Sequence, residues 1–176
     1  MTVTSADFVR YVGMKGPVKR AHAPLEREML RRFAQAIMDP DPLYFDELYA
    51  RTTRYGRLVA PPLYPVHAFR TPAGAPDPLK SVQDDPHADG THGNDGMLFG
   101  LEPIESPFKR LLNGGNEIEF LCCLAVHEVC TAQARYASVV LKEGKSGKML
   151  LVDIETEFRN QAAELLLINR QTLIWR

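Results

Sequence analysis

Few side chains of this 176-residue chain are grouped as chemistry requires, and the most suggestive group is Asp39-Pro-Asp-Pro-Leu-Tyr44. A carboxylate can hold a water or carry a proton, and a phenol can donate a hydrogen bond. With an ordinary pKa near ~10, a tyrosine is a poor base at neutral pH. The same residues also have a purely geometric use. Asp-Pro-Asp-Pro ends a helix, because each proline lacks a donor and disfavours helix at the residue before it. Tyr44 can equally pack its ring under that helix end. Asp85, His87, Asp89 and His92 are metal-ligand types, but their spacing fits no helix or hairpin site, so neither a metal nor a cofactor is expected. His67, after Pro65-Val66, reads as a structural or surface residue rather than a base. Cys122, Cys123 and Cys130 show no zinc or redox spacing and read as small buried hydrophobes of a reduced, cytoplasmic protein. Asn113-Gly-Gly-Asn116 lacks the Gly-Lys-Ser/Thr ending of a nucleotide loop. Its glycines permit a close backbone approach or a bulge. Lys142, Lys145 and Lys148 read as a solvated hairpin tip.

These residues need elements to hold them. Leu25, Met29, Phe33 and Ile37 recur every four residues, which predicts a helix over 24–38, with Pro24 suited to its first position. A second helix is expected over about 45–54, ending before Gly56. Residues 60–116 read as irregular, either a cover over a site or short elements hidden in a loop rich in Pro and Gly. From 117 the pattern is strand-like. Leu150, Val152, Ile154, Thr156 and Phe158 alternate with Asp153, Glu155, Glu157 and Arg159, so one face meets a core and the other water. Glu143 to Lys148 and Asn160 to Glu164 are turns. Leu165–Trp175 begins apolar on both faces and so belongs nearer the sheet centre. The economical packing lays the helix across an antiparallel sheet, an α+β fold in a single domain, 1–176.

Composition narrows the function. Lys plus Arg is 21 and Asp plus Glu is 22, a net charge of −1, so no field is present to hold nucleic acid or an anionic membrane. The apolar runs are far short of the ~20 residues of a spanning helix. The N-terminus has neither the basic start nor the apolar stretch of a signal peptide.

Several stretches together resemble a known family. They are Phe33 to Asp46, Tyr49-Ala-Arg51, Tyr55-Gly56, Val59-Ala-Pro-Pro62, Leu112 to Glu117, Glu143 to Lys148 and Glu155 to Gln161, and they span about 20–176. The chain resembles the MaoC-like dehydratases and (R)-specific enoyl-CoA hydratases. It is most similar to the hot-dog domains that form the N-terminal half of two-domain dehydratases, or a separate subunit of split ones. The resemblance implies one long central helix wrapped by an antiparallel sheet, and pairing of sheets edge to edge, which also removes an exposed edge.

Competent members of that family resemble one another in a Gly-Asp-x-Asn-Pro-Leu/Ile-His motif after the helix. Its Asp and His activate a water that adds across the trans-2 double bond of an acyl thioester, giving a 3R-hydroxyacyl product, or the reverse. Laid on this chain, Met38 stands at the Gly, Asp39 at the catalytic Asp, Asp41 at the Asn and Tyr44 at the catalytic His. The carboxylate is kept and the imidazole is lost. Asp39 and Tyr44 are therefore the equivalent but degenerate catalytic site, and Tyr64, Asn113, Gly114, Gly115 and Asn116 are expected to line the substrate tunnel. Val126-His127-Glu128 replaces a usual Gly-Asp turn. The expected function is a subunit of an (R)-specific enoyl-thioester hydratase or 3-hydroxyacyl-thioester dehydratase. It would bind acyl-CoA or an acyl-carrier-protein thioester, as a homodimer or as a heterodimer with a catalytic MaoC-like subunit. The alternatives are a self-sufficient homodimer using Asp39 with a group such as His67 or His92, and a non-enzymatic acyl-CoA-binding or scaffolding module.

Overall fold

The computed structural model describes residues 4–69, 71–77, 80, 83–84, 98–108, 110–144 and 147–176. Asp85, His87, Asp89, His92 and Lys145 lie outside the described residues.

Alternating side chains build the sheet. In β3 (Thr131–Gly144) and β4 (Gly147–Arg159), Ala132, Ala134 and Tyr136 and then Leu150, Val152, Ile154, Thr156 and Phe158 are buried, as is Cys130 just before β3. The residues between them are half-exposed, as a one-sided sheet requires. β5 (Leu165–Trp175) pairs antiparallel with β4 from Leu150↔Trp175 to Phe158↔Leu167. Its other side pairs with β2 (Leu111–Phe120), so β5 is interior, as its apolar start indicates. The two-residue β1 (Lys19–Arg20) pairs with β3, and the five-stranded order is β1-β3-β4-β5-β2.

The irregular reading of 60–116 is corrected at both ends. A short helix, α3, covers Tyr64–His67, and β2 begins at Leu111 rather than 117. Gly and Asn are depleted in strands, which hid β2. They serve a register shift between Asn113 and Gly115 there, with Gly115 at φ 127°. A second segment absent from the sequence reading is the N-terminal run. Gly13 and Gly16 donate to the carbonyls of Tyr136 and Ala134, and Phe8 and Tyr11 are buried. The Tyr11 ring meets Tyr136 edge-on at 6.1 Å.

The principal helix, α1, is Arg27–Ala36, 10 residues rather than the span 24–38. Its buried positions are Leu30 and Ala34, while Phe33 is half-buried and Ile37 exposed. The late start has a tertiary cause. The Leu25 N–H donates to the Glu128 carbonyl and the His127 N–H donates to the Leu25 carbonyl, so Leu25 is held extended. Two further helical pieces follow: a 3-10 turn at Pro42–Tyr44 and α2, Glu47–Thr52.

Glu128 ties this end of the sheet to the helix layer. Its side chain, 9% exposed, accepts from the Arg57 guanidinium (2.7 Å) and the Ala125 N–H (3.0 Å). Asn160 Nδ2 lies 3.5 Å away, and Asn160 also accepts the Ala162 and Glu164 N–H groups of the β4–β5 turn. Glu128→Ala strips three donors of a buried acceptor and should lower stability by about 2–4 kcal/mol. The test is urea unfolding, where the midpoint falls and the slope holds. An unmoved midpoint would contradict the role given to Glu128.

Helix α1 ends in a Schellman motif. Met38 N–H donates to Gln35 C=O and Asp39 N–H to Ala34 C=O, with Met38 at φ 55°. Glycine is favoured there, and Met38 is 87% exposed, so its side chain contributes little packing in return. Met38→Gly should therefore stabilise by about 0.5–1 kcal/mol. Thermal melting should show a rise of about 1–4 °C.

Candidate functional site

The Schellman ending aims the chain so that Asp39 emerges half-buried at the foot of α1. Asx turns then carry it on. Asp39 Oδ1 accepts the Asp41 N–H (3.2 Å), and Asp41 Oδ1 accepts the Leu43 N–H (2.9 Å), which caps the 3-10 turn. Pro42 presets the first position of that turn. Asp46 Oδ1 in turn caps α2, accepting from Leu48 and Tyr49. The Asp-Pro-Asp-Pro run thus does both things read from it: it ends the helix and it positions side chains.

Those turns bring Asp39 and Tyr44 together. Tyr44 is 8% exposed, and its phenol lies in the field of the Asp39 carboxylate. Burial first, then the charges of Asp39 and Asp41 and the nearby Cys123 push the Tyr44 pKa up to about 12. The pair is a carboxylate acceptor beside a phenol that keeps its proton. It can orient a water or a carbonyl oxygen, but the phenol is too weak an acid to shuttle protons at neutrality. Tyr44 and Phe45 border a surface depression with Arg27, Glu28, Arg31 and Leu58, so the pair lies near an opening.

One cysteine, Cys123, lies near this site, which the cysteine spacing did not show. Cys130 is buried as expected, and burial pushes its thiol up to about 12. Cys122 and Cys123 are only half-buried. The Cys123 thiol donates to the Tyr55 hydroxyl at 3.5 Å, which also accepts from Arg54 at 2.6 Å. A contact between residues 55 and 123 carries no sequence signal.

The remaining expected site residues lie elsewhere. Tyr64, on α3, is 2% exposed and packs edge-on against Phe33 of α1, ring centres 5.2 Å apart. The His67 ring also lies 5.2 Å from Phe33. Asn113 accepts the Gly115 N–H, and Gly114 leaves only 3.0 Å between an added Cβ and Thr172. Gly114, Gly115 and Asn116 line a shallow depression with Asp153, Glu155, Arg170 and Thr172. Asp153 and Glu155 alternate with the buried row of β4, so this depression is on the face away from the Tyr44 core. On that face Asp153 accepts from the Ser138 and Thr172 hydroxyls, and Glu155 from Arg135 and Arg170. The structure joins Asp39 to Tyr44, places Tyr64 in the core beneath α1, and sets 113–116 on the far face.

Comparison with known proteins agrees with this architecture. The family model described as FAS1-like, dehydratase domain region, matches residues 10–168. The fold is similar to that of the ChsH1–ChsH2 complex of Mycobacterium tuberculosis, with a TM-score of 0.65 and 19% identity over 91% of this chain and 83% of that one. It is similar to the (R)-hydratase from A. caviae involved in PHA biosynthesis, at TM-score 0.55 and 20% identity over 92% and 94% of the two chains. The M. tuberculosis HadBC (3R-hydroxyacyl-ACP dehydratase) complex gives TM-score 0.58 and 17% identity over 93% and 96%. A UPF0336 protein of Thermobifida fusca is 45% identical over 40 residues, 23% of this chain and about a quarter (26%) of that relative. With the model matched from the N-terminal run to β5 and the helix-on-sheet fold shared with these proteins, the chain belongs to the FAS1-like dehydratase region family and has the hot-dog fold.

Proposed function

We propose that this chain is the substrate-binding, non-catalytic-type subunit of an (R)-specific enoyl-thioester hydratase or 3-hydroxyacyl-thioester dehydratase, completed by a catalytic MaoC-like partner. The observation that carries the reading is Tyr44. It stands where an imidazole would move the proton, it is buried beside the Asp39 carboxylate, and burial and that charge push its pKa up to about 12. Hydration needs one group to take a proton from water and another to deliver one to the α-carbon. Asp39 can take part, and Tyr44 cannot supply the second transfer near pH 7. What remains is a polar pair that orients an acyl thioester. Two similar structures, ChsH1–ChsH2 and HadBC, are complexes, which favours a paired subunit. The edge strand β2 is the surface on which a partner's sheet would continue.

The test is hydration of trans-2-enoyl-CoA thioesters by the purified chain, beside Asp39→Asn. The expected result is no turnover by either, and activity of the reconstituted complex that survives Asp39→Asn with Tyr44→Phe. Turnover by the isolated chain that Asp39→Asn abolishes would instead make it a self-sufficient hydratase.

The phenol itself can be titrated. Ultraviolet absorbance should show a phenolate appearing near pH 12 in the wild type and missing in Tyr44→Phe. That variant should cost about 0.5–1.5 kcal/mol. Because the folded pKa lies above the ordinary 10.0, the contribution is fully present below pH 10 and is lost as the pH climbs through about 12. The stability gap between the two proteins is therefore flat up to pH 10 and narrows above it. A Tyr44 midpoint near 10 would show the phenol to be neither buried nor paired.

A further inference from the structure

We propose that the arginine-lined cleft adjoining Tyr44 is an anion site for the phosphate-bearing nucleotide end of coenzyme A, which presents the thioester to the Asp39–Tyr44 pair. The inference rests on the thioester reading and names the carrier. The cleft, of about 430 Å³, lies between α2, the Gly56–Leu58 segment and the Val126–His127 turn. That volume is within the ~300–1,000 Å³ of small-molecule sites. Arg27, Arg51, Arg57, Glu47 and His127 line it. It shares Arg27 and Leu58 with the 260 Å³ depression bordered by Tyr44 and Arg31, so the two form one path that leads to Tyr44.

Charge and geometry both favour a phosphate. Along the path four guanidiniums face two carboxylates, Glu28 and Glu47, in a chain whose net charge is −1. Counting Glu128 behind Arg57 still leaves a positive excess. Arg57 is held from behind by the nearly buried Glu128 at 2.7 Å while its own side chain stays 60% exposed. That is a preorganised fork with donors left over, the geometry that suits phosphate oxygens. Arg51 approaches Glu47 only to 3.9 Å, beyond hydrogen-bond distance, and is 67% exposed. Arg27 pairs with the same Glu47 at 2.7 Å, so one carboxylate serves two guanidiniums. The cationic surface is concave, which favours a small anion over the flat docking face of a carrier protein.

The experiment titrates the full chain with adenosine 3′,5′-bisphosphate and, separately, with an acyl-pantetheine thioester that has no nucleotide. The bisphosphate should bind, and more weakly as salt rises. Arg51→Ala should weaken it about tenfold, the loss of one charge-assisted contact. Arg51→Ala with Arg27→Ala should weaken it further, and Arg10→Ala, at an exposed pair with Glu105, should not. Arg51 is chosen because its removal leaves no buried charge behind. Acyl-pantetheine binding should be the same in all these variants. Bisphosphate that fails to bind, or binds equally to wild type and Arg51→Ala, overturns the nucleotide site. If acyl-pantetheine still binds in that event, the thioester reading stands without it. If the bisphosphate binds as expected and no acyl thioester does, the anion site holds and the thioester reading falls. Arg51-dependent binding of an acyl carrier protein without bisphosphate binding also overturns the proposal.

Discussion

The buried carboxylate of Glu128 is the constraint on which the helix side of the molecule depends. Its side chain takes hydrogen bonds from Arg57 and the Ala125 N–H, and Asn160 packs against it. Its own carbonyl accepts from Leu25. Three segments distant in sequence, at Leu25, Arg57 and Asn160, therefore converge on one residue. A buried charge is costly unless its acceptors are filled, so this convergence is nearly obligatory once the carboxylate is inside. The consequences travel outward. Leu25 is pulled out of the helix, α1 begins at Arg27, and its stop after Ala36 sets where Asp39 emerges. The same clasp fixes Arg57 at the rim of the arginine-lined cleft.

At the other end of α1 the chain accepts strain for position. Met38 occupies a left-handed conformation that glycine would take freely, and the family motif has glycine at that place. The backbone shape is therefore retained although the residue is not. What differs is the chemistry two turns later. On the proposed reading, a buried phenol stands where an imidazole would titrate near neutrality, beside the retained carboxylate. A site so organised would lack one of the two proton carriers that hydration needs. An organised but incomplete site is understandable if acyl recognition, rather than proton transfer, is what this chain contributes to a complex.

Much of the sheet was legible in the sequence because one face of each strand is wet and the other dry. Leu150, Val152, Ile154, Thr156 and Phe158 are buried as their period of two requires. The turn at 160–164 followed from its residue types, whereas Glu143, Gly144, Gly147 and Lys148 of the other expected turn are paired strand residues. The helix was legible in position but not in length, since a distant hydrogen bond to Glu128 decides its start. β2 was hidden by Gly and Asn at a bulge, and the N-terminal run by having its partners more than a hundred residues away on β3. For the site, Asp39 and Tyr44 came from the family motif and their meeting is local, five residues apart. The neighbours Tyr55 and Cys123 came from neither, because their contact is made by the fold alone.

The two faces of the sheet have separate tasks. The inner face carries the core under α1, the Asp39–Tyr44 pair and the path to the arginine cleft. The outer face is polar and cross-linked: Glu155 bridges Arg135 and Arg170, and Asp153 bridges Ser138 and Thr172. These pairs tie β3, β4 and β5 across their width through short side chains and forked guanidiniums, which holds three strands in register. β2, exposed along most of its length, joins this network through Glu117 and Glu119 to Arg170. The cross-linked strands β3, β4 and β5 thus lie inside the sheet and support the core under α1, while the two edges are the two-residue β1 and the ten-residue β2.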